Sequence, residues 1–356
     1  MKSVIRILIL TVLLAAGDAA ACTSMIVSGA KSASGRPMIW KHRDTSAENN
    51  FLYRVEPEGG IGYVGLFNGG DSLALDEAWM GMNDAGFAII NTVAYNLPPN
   101  KPDFIDREGF VMAAALSKCR SVDDFEEFLV KLPKPMGVRT CFGVMDAEGN
   151  GAYFETDDYN IVRYNLDEAH DGVMVRTNFA YSGTTDEGMG YIRHGNVLDL
   201  LGAQISTGSL TPASLTEGVS RSFYNSLTRR DALEGEDEWI VDQDFVPRHS
   251  STSSIVIEGL LPGETPDKMR MWANIGYPPC SHVVEVTLDS IPADVSATVD
   301  HPRSRRSEDA DELKKLVFPI SRGSGQRYIN VPALREINAS ERALSEACYN
   351  RSKRKR

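Results

Sequence analysis

Cys22 is the residue best placed for covalent chemistry, because the residues before it have the pattern of a secretion signal. Basic residues open that segment, an apolar stretch covers 7–16, and Ala19-Ala20-Ala21 forms a small-residue cleavage site. The stretch is short for a membrane-spanning helix, which needs about 20 residues. Cleavage after Ala21 would give Cys22 both a thiol and a free α-amine, whose pKa of ~7.7–8.0 in model compounds lets it accept a proton. One terminal residue could then be nucleophile and base.

Two other roles for Cys22 fit the same segment. A cysteine that follows a signal can be a lipid-attachment site, which would block the amine and tether the protein to a membrane. Such sites usually carry Leu or a similar residue three positions earlier, where this chain has Ala19. Cleavage one or two residues earlier would instead leave an ordinary buried cysteine. The segment alone does not decide among nucleophile, lipid anchor and passive residue.

The composition limits the class of protein. Removal of residues 1–21 leaves 335 of the 356 residues, enough for one large domain or two small ones. The formal net charge is −12, and it becomes −13 once Lys2, Arg6 and Asp18 are lost with the signal. An acidic protein of this kind is a poor partner for nucleic acid. No later segment is apolar enough to cross a membrane, so the sequence predicts a secreted or periplasmic protein.

The cysteines and histidines do not indicate a disulfide framework or a metal site. The five cysteines are odd in number and widely spaced, unlike those of a small disulfide-rich domain: Cys22, Cys119, Cys141, Cys280 and Cys348. Pairing of two or four of them stays open. The six histidines are scattered, and neither CxxC nor HExxH spacing occurs. We therefore expect no metal and no other cofactor.

Strand-like runs dominate both ends of the mature chain, and helix-like segments lie between them. The predicted strands are 22–29, 37–43, 61–67, 77–82, 87–93, 140–146, 151–156, 253–257, 271–275 and 283–288. The predicted helices are 108–118, one opened by the capping box of Ser121 and Asp124, 188–203, 212–222 and 334–351. This pattern predicts an α+β protein with helices outside two sheets. We divide it into a signal peptide (1–21), a catalytic domain (22–300) and a polar segment with a C-terminal helix (301–356).

The first two predicted strands bring an acidic residue toward Cys22. Their turn is centred near Ala33, and Cys22 and Asp44 each lie 11 residues from it. Positions equidistant from the turn of an antiparallel hairpin pair about 4.5–5.5 Å apart. We therefore expect the Asp44 carboxylate to lie beside the N-terminus, where it could hold or orient the α-amine.

Several segments together resemble the N-terminal-nucleophile (Ntn) amide hydrolases. They are Cys22-Thr-Ser-Met-Ile-Val27, Gly35-Arg-Pro-Met-Ile-Trp-Lys-His-Arg-Asp44, Gly81-Met-Asn-Asp-Ala-Gly-Phe87, Arg176-Thr-Asn-Phe179 and Arg248-His-Ser-Ser-Thr-Ser-Ser254. The chain is most similar to the acyl-CoA:6-aminopenicillanic acid acyltransferase-like (C45-type) family. It resembles the bile salt hydrolase and penicillin V acylase family and the C69 dipeptidases more distantly. The segments occur in the same order and reach from residue 22 to about residue 280.

The resemblance implies a four-layer αββα sandwich of two antiparallel sheets, with the nucleophile on an inner strand. Cys22 would attack a linear amide of a small acylated substrate to form a thioester, and its α-amine would pass the proton to the leaving nitrogen. Asn178 would give a side-chain N–H, and Asn83 a backbone N–H, to the oxyanion. Hydrolysis, acyl transfer to an amine and dipeptide cleavage all stay open, as does a lipid-anchored binding protein.

The chain departs from the bile salt hydrolase pattern at Lys41, where that pattern has Arg. Lysine keeps the positive charge that favours a thiolate but lacks the planar guanidinium fork. Either Arg43 or Arg248 could restore a guanidinium, and we include Lys41 and Arg248 among the site residues. Because the signal ends at the nucleophile, signal peptidase is the expected partner in maturation. His42 and His249 are expected to pack around the site rather than to act as bases.

Overall fold

The computed structural model describes residues 21–100, 106–323 and 325–355. The predicted signal, apart from Ala21, lies outside these residues. The strands in chain order are β1 (Thr23–Val27), β2 (Met38–Asp44), β3 (Asn50–Val55), β4 (Tyr63–Asn68), β5 (Met80–Asn83), β6 (Ala88–Val93), β7 (Thr140–Met145), β8 (Gly151–Thr156), β9 (Ile161–Asn165), β10 (Val173–Arg176), β11 (Tyr224–Asn225), β12 (Arg230–Asp231), β13 (Trp239–Val241), β14 (Ser251–Glu258), β15 (Arg270–Ile275), β16 (Val283–Val286), β17 (Ile320–Ser321) and β18 (Arg327–Asn330). The α-helices are α1 (Glu108–Leu116), α2 (Val122–Lys131), α3 (Tyr191–Thr207), α4 (Arg305–Val317) and α5 (Val331–Lys355).

Two large antiparallel sheets form the centre of the protein. One has six strands in the order β10-β1-β2-β14-β15-β16, and the other has seven in the order β3-β4-β5-β6-β7-β8-β9. Strands β1 and β2 of the first sheet contact β6 and β7 of the second, so the sheets stack face to face. Ile26 and Ile39 on one sheet and Ile90 and Met145 on the other belong to the apolar layer between them.

Each sheet buries its other face under helices. Ile89 and Phe142 of the seven-stranded sheet pack with Val111 of α1 and Phe125 of α2. On the six-stranded sheet, residues of β1 and β2 pack with residues of α3 and α5, and the side chains involved are Met25, Trp40, Val197, Leu201 and Cys348. The result is a four-layer αββα sandwich, so the predicted α+β fold class is confirmed. No described helix has the length and apolar character to span a membrane.

Side chains of β1 and β2 alternate between two layers, as strand geometry requires. The neighbours of Cys22 on the same face, Ser24 and Ile26, point toward the other sheet, and the Ser24 hydroxyl lies 2.7 Å from that of Tyr153 on β8. Met25 and Trp40 point the opposite way, toward α3. Side chains around Cys22 therefore come from two layers, one between the two sheets and one between the six-stranded sheet and α3.

The register of β1 with β2 differs from the prediction by one residue. Thr23 lies opposite His42, and Val27 lies opposite Met38. Continuing that register sets Arg43 opposite Cys22 and Asp44 opposite Ala21. The connection between β1 and β2 is an asymmetric turn, with a 3₁₀ segment at Gly29–Lys31 and Gly35 at φ 74°. The observed pairing places the midpoint of this connection just before Ala33.

Most other predicted elements are present. The capping box of Ser121 and Asp124 opens α2 through both of its hydrogen bonds. Strands β3, β9 to β13, β17 and β18 were not predicted, and α4 lies inside the segment 301–356, for which only a C-terminal helix was predicted. Helix α5 extends the predicted C-terminal helix, and its Cys348 joins the apolar layer under the six-stranded sheet.

Candidate active site

Cys22 stands at the start of β1, beside the central strand β2 of the six-stranded sheet. Its residue exposure is 6%, and its Sγ lies 4.0 Å from the backbone oxygen of Asp44. The predicted proximity of Cys22 and Asp44 is therefore present, although it runs through the Asp44 main chain rather than through a direct cross-strand pair.

The Asp44 carboxylate is buried and doubly engaged. Its Oδ2 accepts from Arg248 Nη2 at 2.5 Å, and its Oδ1 accepts from the Ser251 hydroxyl at 2.6 Å. His42 Nε2 lies 2.8 Å from the same hydroxyl. A β-bulge between Ser251 and Ser253 shifts the pairing of β14 with β2 at this point, which places Ser251 opposite Asp44.

Arg248 connects this carboxylate to the peptide bond before Cys22. Besides its ion pair with Asp44, Arg248 Nη2 donates to the carbonyl oxygen of Ala21 at 3.0 Å. Burial lowers the pKa of Arg248, but the adjacent Asp44 carboxylate raises it, and the resulting pKa lies above the ordinary value. Arg248 is thus a permanent cation at the Ala21–Cys22 peptide, and it is the guanidinium that contacts Asp44.

Arg193 on α3 is a site residue that the sequence motifs did not indicate. Its Nη1 donates to the Cys22 carbonyl at 2.9 Å and to Thr23 Oγ1 at 2.8 Å, and its Nη2 donates to Asn178 Oδ1 at 2.7 Å. Burial, together with the nearby Arg248, lowers the pKa of Arg193 to about 9. One buried guanidinium therefore fixes the main chain at Cys22 and the Asn178 side chain relative to each other.

Asn178 follows β10 and is fully buried. Its Nδ2 donates to the carbonyl of Val93 at the end of β6 at 2.9 Å. With Arg193 donating to the other end, the amide has only one orientation that satisfies both partners. Arg193 thus connects Asn178 to the main chain of Cys22, and the oxyanion role of Asn178 stays a prediction.

Lys41 enters the site from the layer between the sheets. Its Nζ donates to Asn91 Oδ1 at 2.5 Å and to the carbonyl of Trp79 at 2.8 Å. Burial lowers the pKa of Lys41 to about 8, and a negative charge on Cys22 acts in the opposite direction. Asn91 was also missed by sequence reasoning, and it lies four residues after the segment from Gly81 to Phe87 that carries the resemblance.

Arg43, the other candidate guanidinium, takes a different place. It donates to the side chains of Asn50 and Asn68 at 2.9 Å each, and its guanidinium lies over the Trp79 ring at 4.8 Å. Burial lowers the pKa of Arg43, and a negative charge on Cys22 acts in the opposite direction with a smaller effect. Cationic side chains therefore lie near Cys22 in both layers, between the sheets and under α3.

Asn83 does not have the predicted role. Its backbone N–H donates to the Phe87 carbonyl at 2.9 Å within the hairpin, so it is not available to an oxyanion. Its Nδ2 donates to the carbonyls of Leu116 and Cys119 at 2.8 Å each. These bonds close the β5–β6 hairpin and hold the end of α1. The Asn83 assignment is corrected to a structural one.

A cavity of about 430 Å³ reaches the site from the α3 side, and its lining includes Ala21, Gly190, Arg193 and Arg248. Ala21, the residue before Cys22, lines this cavity, and Cys22 itself is not among the lining residues. Larger cavities of about 560 and 660 Å³ are lined by residues remote from Cys22.

The remaining four cysteines are also buried. All five are free thiols. Burial raises the pKa of Cys119 to about 12 and also raises those of Cys141, Cys280 and Cys348. These four are poor nucleophiles at neutral pH. Within the described ranges, no group of His, Cys, Asp and Glu side chains is arranged to hold a metal ion.

No family model matches the chain, and no curated protein matches it. Among solved structures it is similar to a variant of the conjugated bile acid hydrolase from Clostridium perfringens (TM-score 0.46, 12% identity, 79% of this chain and 99% of that chain). It is also similar to the penicillin V acylase from Agrobacterium tumefaciens (0.41, 17%, 77% and 88%). A third is the Caenorhabditis elegans N-acylethanolamine-hydrolyzing acid amidase ortholog (0.39, 14%, 54% and 87%). We interpret the site from its own geometry.

Proposed function

We propose that this chain is a secreted or periplasmic cysteine amidase of the Ntn type, most similar to the C45-type family. In this proposal, removal of residues 1–21 exposes Cys22, which hydrolyses a linear amide bond of a small acylated substrate. The observation that carries the proposal is the arrangement at the two peptide groups on either side of Cys22. Arg248 binds the carbonyl before Cys22, Arg193 binds the carbonyl of Cys22, and both connect to residues that suit acid–base or oxyanion chemistry, Asp44 and Asn178.

The chemistry follows from these positions. The Cys22 thiol would attack the amide carbonyl while its α-amine takes the thiol proton. The oxyanion would be stabilised by the Asn178 amide, whose orientation Arg193 fixes. The amine then passes the proton to the leaving nitrogen as the C–N bond breaks, which leaves an acyl thioester. Water attacks the thioester and releases the acid, and the thiol regains its proton.

Asp44 and the cations prepare this residue for reaction. After removal of Ala21, the Arg248 guanidinium keeps its ion pair with Asp44 and loses its backbone acceptor. The pair then borders the new α-amine, because Asp44 faces the position of Ala21 in the strand register. A carboxylate at this place would orient the amine, and the Lys41 ammonium would place a positive charge near Cys22 from the opposite layer.

The burial of Cys22 argues against its use as a lipid anchor. A diacylglycerol thioether must reach a bilayer, whereas Cys22 is only 6% exposed and begins a strand that is flanked on both sides. The carbonyl of Cys22 is also held by Arg193. This environment suits a nucleophile in a site better than an anchor on a flexible tether.

The proposal is tested with the exported protein and a panel of N-acyl amides and p-nitroanilides. We expect turnover in the wild type and a loss of several orders of magnitude in Cys22→Ser. The matched control is Cys280→Ser, which removes another buried thiol and should leave turnover unchanged. An amine acceptor added to the assay separates hydrolysis from acyl transfer. Equal activity of Cys22→Ser and wild type would remove the nucleophile from the account.

A further inference from the structure

A chain of hydrogen bonds leads from the site to the start of α1. Lys41 Nζ donates to Asn91 Oδ1 at 2.5 Å, and Asn91 Nδ2 donates to Glu108 Oε2 at 2.6 Å. The Asn91 amide thus has its acceptor end on a cation and its donor end on a carboxylate. This is the arrangement in which both bonds are strengthened by charge. None of the catalytic steps described above uses Glu108.

The fold holds Glu108 firmly at the other end of this chain. Glu108 is the first residue of α1, and it is 2% exposed. Its Oε1 accepts from the backbone N–H of Arg139 at 3.3 Å, and its own N–H donates to Asp106 Oδ1 at 3.0 Å. A carboxylate in the first turn is also favoured by the helix dipole. A side chain that served only as a cap would not need to point inward to a site residue.

The charges around Glu108 come from several elements. Asp106 lies two residues before Glu108, and Lys41 on β2 is connected to Glu108 through Asn91. Three further groups interact with the Glu108 carboxylate: Arg139, Tyr95 and Cys141. The Arg139 guanidinium is turned away, to the carbonyls of Tyr95 and Leu97. Lys41 is therefore the cation to which Glu108 is connected through a side chain.

We propose that Glu108 is a positioning residue that, through Asn91, holds the charged Lys41 ammonium in place for the reaction at Cys22. The inference rests on the proposed function, because it assigns the task of Lys41 in that reaction. It also gives Asn91 a defined role as the connector between the two charges. Lys41 keeps its proton more readily when the carboxylate is ionised, since an opposite charge favours the charged form.

The signs of the titrations define a pH window. Burial, with Asp106, raises the pKa of Glu108 to about 7, so its carboxylate is ionised above that pH. Burial lowers the pKa of Lys41 to about 8, so its ammonium is charged below that pH. Both ends of the chain are charged together mainly between about 7 and 8. Activity that depends on the arrangement should have an acid limb from Glu108 and a basic limb from Lys41.

The test uses Glu108→Gln, which keeps the size and an acceptor oxygen but removes the charge. The first readout is the titration of Lys41 by NMR in protein labelled with [ε-¹³C]lysine, with Lys41→Met to assign the resonance. The second is the pH profile of kcat and KM. Asp106→Asn is the matched control: it removes a charge from the same helix end, keeps an oxygen for the Glu108 N–H, and does not touch Asn91.

In Glu108→Gln we expect the Lys41 midpoint to fall by about one pH unit from its wild-type value near 8. The basic limb of kcat should fall by the same amount, and KM should change little. In Asp106→Asn the Lys41 midpoint should not fall, and the acid limb should move to lower pH because Glu108 loses a neighbouring negative charge. If Glu108→Gln does not fold, Asp106→Asn still tests the acid limb.

An unchanged Lys41 midpoint in Glu108→Gln would overturn the inference. A shifted midpoint with an unshifted basic limb of kcat would also overturn it, because Lys41 would then be coupled to Glu108 without serving the reaction. Failure of the proposed function has a different signature, since no amide would be turned over at any pH while the NMR titration would still report the coupling.

Discussion

Replacement of Arg193 by lysine tests the site where its geometry is most specific. The guanidinium donates to the Cys22 carbonyl, Thr23 Oγ1 and Asn178 Oδ1. A lysine ammonium keeps the charge but lacks the planar fork that reaches these acceptors together. If Asn178 stabilises the oxyanion, loss of its orientation should lower kcat by about 10²-fold, with little change in KM, because removal of an oxyanion donor costs ~10²–10³.

The same replacement should also lower stability. Hydrogen bonds to charged groups contribute about 1.5–3 kcal/mol each, and the lysine can retain some of them, so we expect a loss of about 2–4 kcal/mol in the free energy of unfolding. The control is Arg221→Lys, another buried arginine, which donates to Asn338 Oδ1 at 2.9 Å and to the Ser281 carbonyl at 2.5 Å. It should lose comparable stability and keep its kcat.

The assay measures kcat and KM on a p-nitroanilide substrate, and urea unfolding on the same samples. A selective loss of kcat in Arg193→Lys supports its role at Cys22 and Asn178. Equal losses of kcat in both variants would show that general destabilisation is the cause. A kcat within about threefold of wild type in Arg193→Lys would refute the reasoning that this fork orients the oxyanion donor.

Three further outcomes are expected. Asn83→Ala should lower the free energy of unfolding by about 2–4 kcal/mol, because two carbonyls lose their donors, and should keep kcat; a large kcat loss in a stable variant would restore Asn83 to the site. Burial lowers the pKa of His42 to about 4, so the unfolded chain takes up the His42 proton at a higher pH than the folded chain does. The free energy of unfolding should therefore fall by on the order of 3 kcal/mol as the pH drops from 6.5 to 4. Urea unfolding should show a smaller loss in His42→Gln. Asp44→Asn should lower kcat/KM less than Cys22→Ser and should shift its pH profile; an unshifted profile counts against a link between Asp44 and the amine.

The sequence predicted the layers well because local signals are strong there. Apolar runs bounded by turn residues marked β5 and β6, and the Ser121 capping box marked the start of α2. Strands such as β9 were missed because its residues are mostly half-buried and mixed in polarity at an edge of the sheet. Its place depends on pairing with β8, which no local pattern encodes.

Part of the site could be predicted because some of its residues are close together along the chain. Cys22, Asp44 and Lys41 lie on neighbouring strands of one hairpin, so their approach could be argued from the chain itself. The one-residue error in register arose because turn geometry, rather than residue counting, sets the pairing. Asn83 was misassigned because a sequence motif specifies residue types but does not show that the Asn83 N–H is already bonded within the hairpin.

Arg193 shows where a sequence signal existed and was not used. It precedes Val197, Leu201 and Ile205 at a spacing of four, so it heads the apolar stripe of α3. A charged residue in such a stripe must find buried partners. Those partners are distant in sequence: the bond from Arg193 to the Cys22 carbonyl spans 171 positions. Only the folded arrangement identifies them.

The role of Cys22 is tested by the mass of the mature protein before and after brief exposure to an acyl amide, followed by peptide mapping. We expect the exported chain to begin at Cys22 with a free α-amine, and the acyl group to appear as a thioester on that residue. The adduct should be absent in Cys22→Ser. A chain that begins elsewhere, or a lipid or acyl group found on any other residue, would refute the assignment of Cys22 as the nucleophile.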